Sequence, residues 1–176
     1  NYFGISSYFN NEAGEFRRTK KTFAALHCLM LDDLGSKIAI DRIALPLSWL
    51  IETSPGNYQG GYILEAPIED ASAADRLMNA VIGAGLCDPG ANGPTTRLAR
   101  LPQGINGKSN PPFGCRIVEW NPALRYTPVQ IVDGLGLDLA LAGRPKSSRK
   151  RIDASGTKAV TDGPEHSHLG DEVLVP

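Results

Sequence analysis

What this chain lacks narrows its function first. No apolar run in its 176 residues approaches the roughly 20 that a membrane-spanning helix requires, so no membrane association is expected. Its three cysteines, Cys28, Cys87 and Cys115, are too few and too scattered for a disulfide framework or a CxxC zinc site. They read as small buried hydrophobes, and a reducing cytoplasm suits them. Of the three histidines, His27 is a boundary residue before an apolar stretch, while His166 and His168 stand in a polar C-terminal segment, so no zinc set is in view. No signal peptide is visible and the first residue is not Met, which suggests an excised fragment or a processed chain. With a net charge of −1, the whole molecule has no field that would attract nucleic acid by itself.

What is present describes one ordinary domain, with 41% hydrophobic and 21% charged residues. The charge is segregated along the chain. From Glu65 to Gly90 there are five acids and one base, and from Asn92 to Tyr126 five bases and one acid. Two basic runs, 17-RRTKK-21 and 144-RPKSSRKR-151, read as a solvated face and as part of a disordered tail.

Pattern and punctuation predict strands over 23–31, 48–53 and 62–65, with 54-SPGNYQGG-61 as a loop closing a hairpin. A helix capped by Asp70 or Ser72 would present Ala74, Leu77, Met78, Val81 and Ile82 on one face and end at Gly83 and Gly85. Two loops run to Gly114, a strand covers 115–120, and a second helix starts at Thr127 with Pro128 in its first turn and runs to about Ala142. Residues 1–20 read as mostly loop. The expected fold is α+β, a mixed, largely antiparallel sheet with packed helices over 1–142, followed by a polar, partly basic linker or tail over 143–176.

Three stretches carry chemistry. In 26-LHCLMLDDLGSK-37 an apolar strand runs into Asp32 and Asp33, which are costly to crowd without a positive partner. Strand neighbours face opposite ways, so both enter one site only if the strand bends, and Gly35 permits a bend. In 53-TSPGNYQGGY-62, Ser54, Asn57 and Gln59 offer neutral hydrogen bonds, but the lysine of a P-loop and the GxGxxG spacing are missing. In 88-DPGANGPTTRLARLPQGINGK-108, Asp88 precedes Arg97, Arg100, Asn106 and Lys108. A carboxylate beside planar guanidinium forks and an ammonium describes either a metal-plus-phosphate site or an ordinary ion pair.

In this order, LMLDDLGSK, TSPGNYQGGYIL and CDPGANGPTTRLARLPQGINGK resemble the motifs of the archaeo-eukaryotic primase superfamily, in its phage- and plasmid-borne primase-polymerase branch. The resemblance spans Leu26 to Lys108. It implies an RRM-like core in which Asp32, Asp33 and Asp88 hold Mg²⁺ or Mn²⁺. Ser54 and Gln59 would contact the incoming nucleotide's phosphates, and Arg100, Asn106 and Lys108 would bind phosphate or template backbone, with Arg97 a weaker member. Two departures stand out: the aspartates are adjacent where the family has Asp-x-Asp, with Met30 before them, and Gln59 replaces a histidine.

The implied activity is two-metal nucleotidyl transfer on a single-stranded DNA template, using nucleoside triphosphates in a bacterial host cell, with room for a helicase domain or partner. Trp120, Tyr58 and Tyr62 are candidate stacking platforms, although each is more simply a core residue. Two other readings stay open: a nucleic-acid-binding module of the same fold without catalysis, and a metal-dependent nuclease.

Overall fold

A computed structural model describes residues 1–91 and 93–140. In chain order the elements are β1 (Tyr2–Gly4), β2 (Ser6–Tyr8), β3 (Phe23–Leu34), β4 (Trp49–Ser54), β5 (Asn57–Ile68), α1 (Ala71–Gly83), β6 (Leu98–Arg100), β7 (Ile105–Asn106), β8 (Phe113–Gly114), β9 (Arg116–Trp120), β10 (Arg125–Tyr126) and α2 (Pro128–Gly134). The main sheet has the order β2-β3-β5-β4-β9, and every neighbouring pair along it is antiparallel. β10 adds a parallel pairing to β5 at Ile63 and Leu64. The fold is thus mixed α+β on a largely antiparallel sheet, as the pattern predicts.

The near-continuous apolar run of β3 explains its central place. Leu26, Leu29, Met30, Leu31 and Leu34 are all buried, as expected for a strand covered on both faces. Helix α1 begins where the Asp70 carboxylate accepts the Ser72 N–H at 2.7 Å. It buries Ala74, Leu77, Met78, Ala80 and Val81 and packs on β3 and β5. Burying Leu77, Met78 and Val81 contributes roughly 1.5–3 kcal/mol each.

Four elements depart from the sequence pattern. The stretch 54–61 is not a loop: β5 begins at Asn57, and only Pro55 and Gly56 (φ +70°) form the turn. Its glycines serve close packing. A Cβ at Gly61 would lie 2.6 Å from the Trp49 ring, and one at Gly60 would lie 2.8 Å from Leu47. The expected N-terminal loop contains β1, paired with β6, and β2, paired with β3. Helix α2 stops at Gly134 and does not reach Ala142; Gly136 (φ +60°) turns the chain away. Strand β9 forms within the expected 115–120 stretch but has no buried face, with all five of its residues exposed. The expected tail over 143–176 lies outside the described residues.

Candidate active site

The two aspartates reach one cleft through a bulge. The register between β3 and β5 shifts between Leu31 and Leu34, Asp33 adopts a left-handed conformation (φ +58°), and Gly35 follows at φ +84°. Aspartate tolerates that region better than most side chains. A Cβ at Gly35 would fall 2.5 Å from the Gly56 carbonyl oxygen, so glycine is required there. With the alternation broken, Asp32 and Asp33 both line a cleft of about 570 Å³.

Asp88 arrives from the loop after α1. The backbone N–H of Asp32 donates to the Cys87 sulfur (3.2 Å), and the Asp88 N–H donates to the Asp32 carbonyl (3.4 Å). This lays the loop along the end of β3. Lys37 then joins the acids: its Nζ lies 2.7 Å from Asp33 Oδ2 and 2.9 Å from Asp88 Oδ1. Asp88 Oδ2 also accepts the Gly90 N–H at 2.9 Å, a contact that a Cβ at Gly90 would block. Asp88 is held below the usual carboxylate range, chiefly by the Lys37 ammonium, and Lys37 is raised in turn by Asp33 and then Asp88.

Asp32 is neutralised from the other side. Its Oδ2 meets Arg97 Nη2 at 2.7 Å, while Oδ1 accepts Gln59 Nε2 at 3.1 Å. Gln59 is buried and engaged at both ends, since its Oε1 accepts the Arg100 N–H at 2.8 Å. It therefore ties β3 to β6 across β5. Asn57 donates to Asp33 Oδ1 at 3.3 Å. Ser54 sits at the end of β4 opposite Asn57 and does not line the cleft.

The far wall is cationic. Arg100 is only 9% exposed, yet among the described residues it has no carboxylate partner. Its Nη2 donates to Asn106 Oδ1 (2.7 Å), and its guanidinium lies 4.6 Å from the centre of the Tyr2 ring. Asn106 donates to the Thr53 carbonyl (2.7 Å) and accepts the Lys108 N–H (3.2 Å), which fixes the wall in place. Arg97, Arg100, Lys108 and Arg18 line the cleft against Asp32 and Asp33, so cations outnumber anions.

The structure thus brings Asp32, Asp33, Asn57, Gln59, Arg97, Arg100, Asn106 and Lys108 around one cleft, sets Asp88 at its acidic edge, and leaves Ser54 outside. Sequence reasoning missed Lys37, Arg18 and Tyr2. Lys37 had a signal, its i,i+4 spacing from Asp33. Tyr2 had none, because only the pairing of β1 with β6 brings it to Arg100. Of the aromatic residues, Tyr2 is the one in the cleft; Tyr62 is fully buried, and Trp120 is exposed on β9 away from it.

Among the described residues no group of three or more His, Cys, Asp or Glu is arranged to hold a metal ion. The donor set still suits a hard divalent cation. Asp33 and Asp88 already aim two oxygens at one cation, the Lys37 ammonium, with the Asp32 backbone hydrogen-bonded alongside. The nearby Cys87 thiol is pushed up to about 12, chiefly by burial.

No protein-family model matches the chain, and no curated protein matches it with significance. Solved structures do. The archaeo-eukaryotic primase domain of the cyanophage S-2L primase-polymerase aligns with a TM-score of 0.56 at 17% identity, covering 76% of this chain and 69% of that one. The catalytic domain of primase RepB′, solved in complex with initiator DNA, aligns with a TM-score of 0.51 at 17% identity, covering 68% and 62%. A second RepB′ structure gives 0.50 at 16% identity, with 68% of this chain and 42% of that one covered. The chain spans less than two thirds of both RepB′ structures. The fold is that of the phage and plasmid primase-polymerases.

Proposed function

We propose that this domain is a nucleotidyltransferase, a DNA-dependent primase-polymerase of a phage or plasmid replication system that works on single-stranded template with nucleoside triphosphates. The observation that carries the proposal is Arg100. A buried guanidinium without a carboxylate is costly to keep unless an anionic ligand completes it. It lines a cleft that Asp32 and Asp33 also line, with Asp88 joined to Asp33 through Lys37. An acidic edge facing an unneutralised cationic wall suits a triphosphate bound through metal on one side and through protein cations on the other.

In this reading Asp32, Asp33 and Asp88 hold Mg²⁺ or Mn²⁺, whose chemistry is to lower the pKa of the attacking 3′-hydroxyl and offset charge on the phosphates. The chain's own groups do the rest. Arg100 and Lys108 bind the triphosphate oxygens, and the Asn106 and Thr53 contacts keep Arg100 aimed, so little reorganisation accompanies the transfer. Gln59 positions Asp32 and the backbone of Arg100 together, where the resemblance implied a direct phosphate contact. Arg97 holds Asp32 and would have to release it to reach an incoming phosphate.

The test is incorporation of labelled nucleotide on single-stranded DNA with Mn²⁺ or Mg²⁺, comparing wild type with Asp88→Ala. Metal-dependent synthesis by wild type alone supports the proposal; synthesis that survives Asp88→Ala refutes the carboxylate role.

One observation favours a second reading. Lys37 and Arg97 already neutralise all three carboxylates, as in a module that grips phosphate without metal. That module would bind DNA in a salt-sensitive way, indifferent to chelator and without turnover.

A further inference from the structure

The segment between β2 and β3 is not explained by the cleft chemistry. Its Phe9 and Phe16 are 68% and 67% exposed, more than any other large apolar side chain among the described residues. The segment is nonetheless firmly built. Phe9 N–H donates to the Thr22 carbonyl at 2.8 Å, Asn10 bridges Phe16, and Asn11 Oδ1 accepts the N–H groups of Ala13 (3.0 Å) and Glu15 (2.8 Å). Phe16 also stands edge-on to Tyr8, with ring centres 5.9 Å apart. Two aromatic rings are therefore held out in water by an ordered backbone.

The bases here divide into two kinds. Arg17 is clasped by Glu15 (2.9 Å), and Lys20 by Asp75 (3.4 Å). Arg18 and Lys21 have no carboxylate partner among the described residues. Arg18 lines the central cleft. Lys21 lines a separate groove of about 450 Å³ with Phe9, and Glu12 is the one acid on that groove. Unpaired cations interleaved with exposed rings on one segment, whose Arg18 also lines the cleft, match what a single strand requires: phosphates to neutralise and bases free to stack. A duplex, with its bases already stacked inside, makes poor use of Phe9 and Phe16.

We infer that the segment from Tyr8 to Thr22 is a single-strand-binding surface, on which Phe9 and Phe16 stack bases while Lys21 and Arg18 carry the backbone into the cleft. The inference rests on the primase-polymerase reading for the direction of the strand, and its test is separate.

The experiment is fluorescence anisotropy with a labelled oligothymidylate roughly 20 nucleotides long, titrated with the protein at several salt concentrations. Phe9→Ala with Phe16→Ala is expected to weaken binding about tenfold or more. Phe9→Trp with Phe16→Trp should retain affinity. Lys21→Ala should lower the slope of log affinity against log salt by about 0.7, the single-strand value for one phosphate contact. The thermal midpoint of each variant should match wild type, since these side chains are exposed. Wild-type affinity in the double alanine variant would overturn the inference, as would equal losses on duplex and single strand. If that variant binds like wild type while Asp88→Ala still abolishes nucleotide incorporation, the surface falls and the catalytic reading stands. If incorporation is absent in wild type but the aromatic variants lose strand binding, the surface stands without the polymerase.

Discussion

The two sides of the cleft are built on opposite electrostatic plans. On the acidic side every carboxylate has a protein cation at hand: Lys37 for Asp33 and Asp88, Arg97 for Asp32. On the basic side the buried Arg100 guanidinium has Asn106 and the Tyr2 ring around it, and among the described residues Lys108 and Arg18 likewise have no carboxylate partner. The acids are safe in the free protein, so their partners must move before anything else binds them. The cations are already waiting. On the proposed reading phosphate is the group this cleft would receive, and Lys37 and Arg97 are the groups that would have to yield.

The most severe break is Asp88→Ala, expected to lower metal-dependent incorporation about 10²–10³-fold by single-turnover assay. The loss should occur with the fold intact by circular dichroism, since among the described residues the Asp88 carboxylate is held by Lys37 and the Gly90 N–H, and its backbone bond to Asp32 survives the change. Next comes Arg100→Met. It should weaken triphosphate binding by roughly 10- to 100-fold, the worth of one or two charge-assisted hydrogen bonds. Its melting temperature should hold or rise, because an unneutralised buried charge is removed. A parallel fall in melting temperature would show that Arg100 supports the wall and does not wait for a ligand.

Gln59→Leu would leave the Arg100 N–H and one Asp32 contact without a partner in a buried place, and should cost about 1–3 kcal/mol by denaturant titration. Lys37→Met sharpens the comparison from the acidic side. Without the shared ammonium, Asp33 and Asp88 repel, so the melting temperature should fall in chelator and recover more steeply with added Mn²⁺ than in wild type. The smallest effect concerns pH. Asp88 is depressed by Lys37, and Glu52 by the Gly56 N–H and then Arg116. Depressed carboxylates stabilise the fold above their ordinary values, 3.8 and 4.5, and that contribution fades as pH falls through the lower folded values. Melting temperatures of Asp88→Asn and Glu52→Gln should therefore converge on wild type in acid and separate from it near neutrality.

Legibility followed how local each feature is. The β3 run, the α1 face with its Asp70 cap, and the Thr127–Pro128 helix start depend on neighbours a few residues away, and the pattern located them. The 57–61 strand is not legible locally, because its glycines resemble a turn and only Trp49 and Leu47, which fill the space a side chain would occupy, give the reason for them. Helix α2 is shorter than its pattern predicts, because the apolar spacing over Leu135–Leu141 outlasts the turn at Gly136. The place of Ser54 in the chain groups it with the site, but at the tight turn it does not line the cleft.

By itself the sequence determined the fold class, the absence of any membrane-length apolar run and the order of the acidic and basic stretches, because these follow from composition and short-range periodicity. Which acids meet which cations was decided only in the tertiary structure. The bulge at Asp33, the pairing of β1 with β6 and the loop laid along Asp32 join residues tens of positions apart. Charge pairing depends on distance in space, and the linear order of charges leaves that distance open.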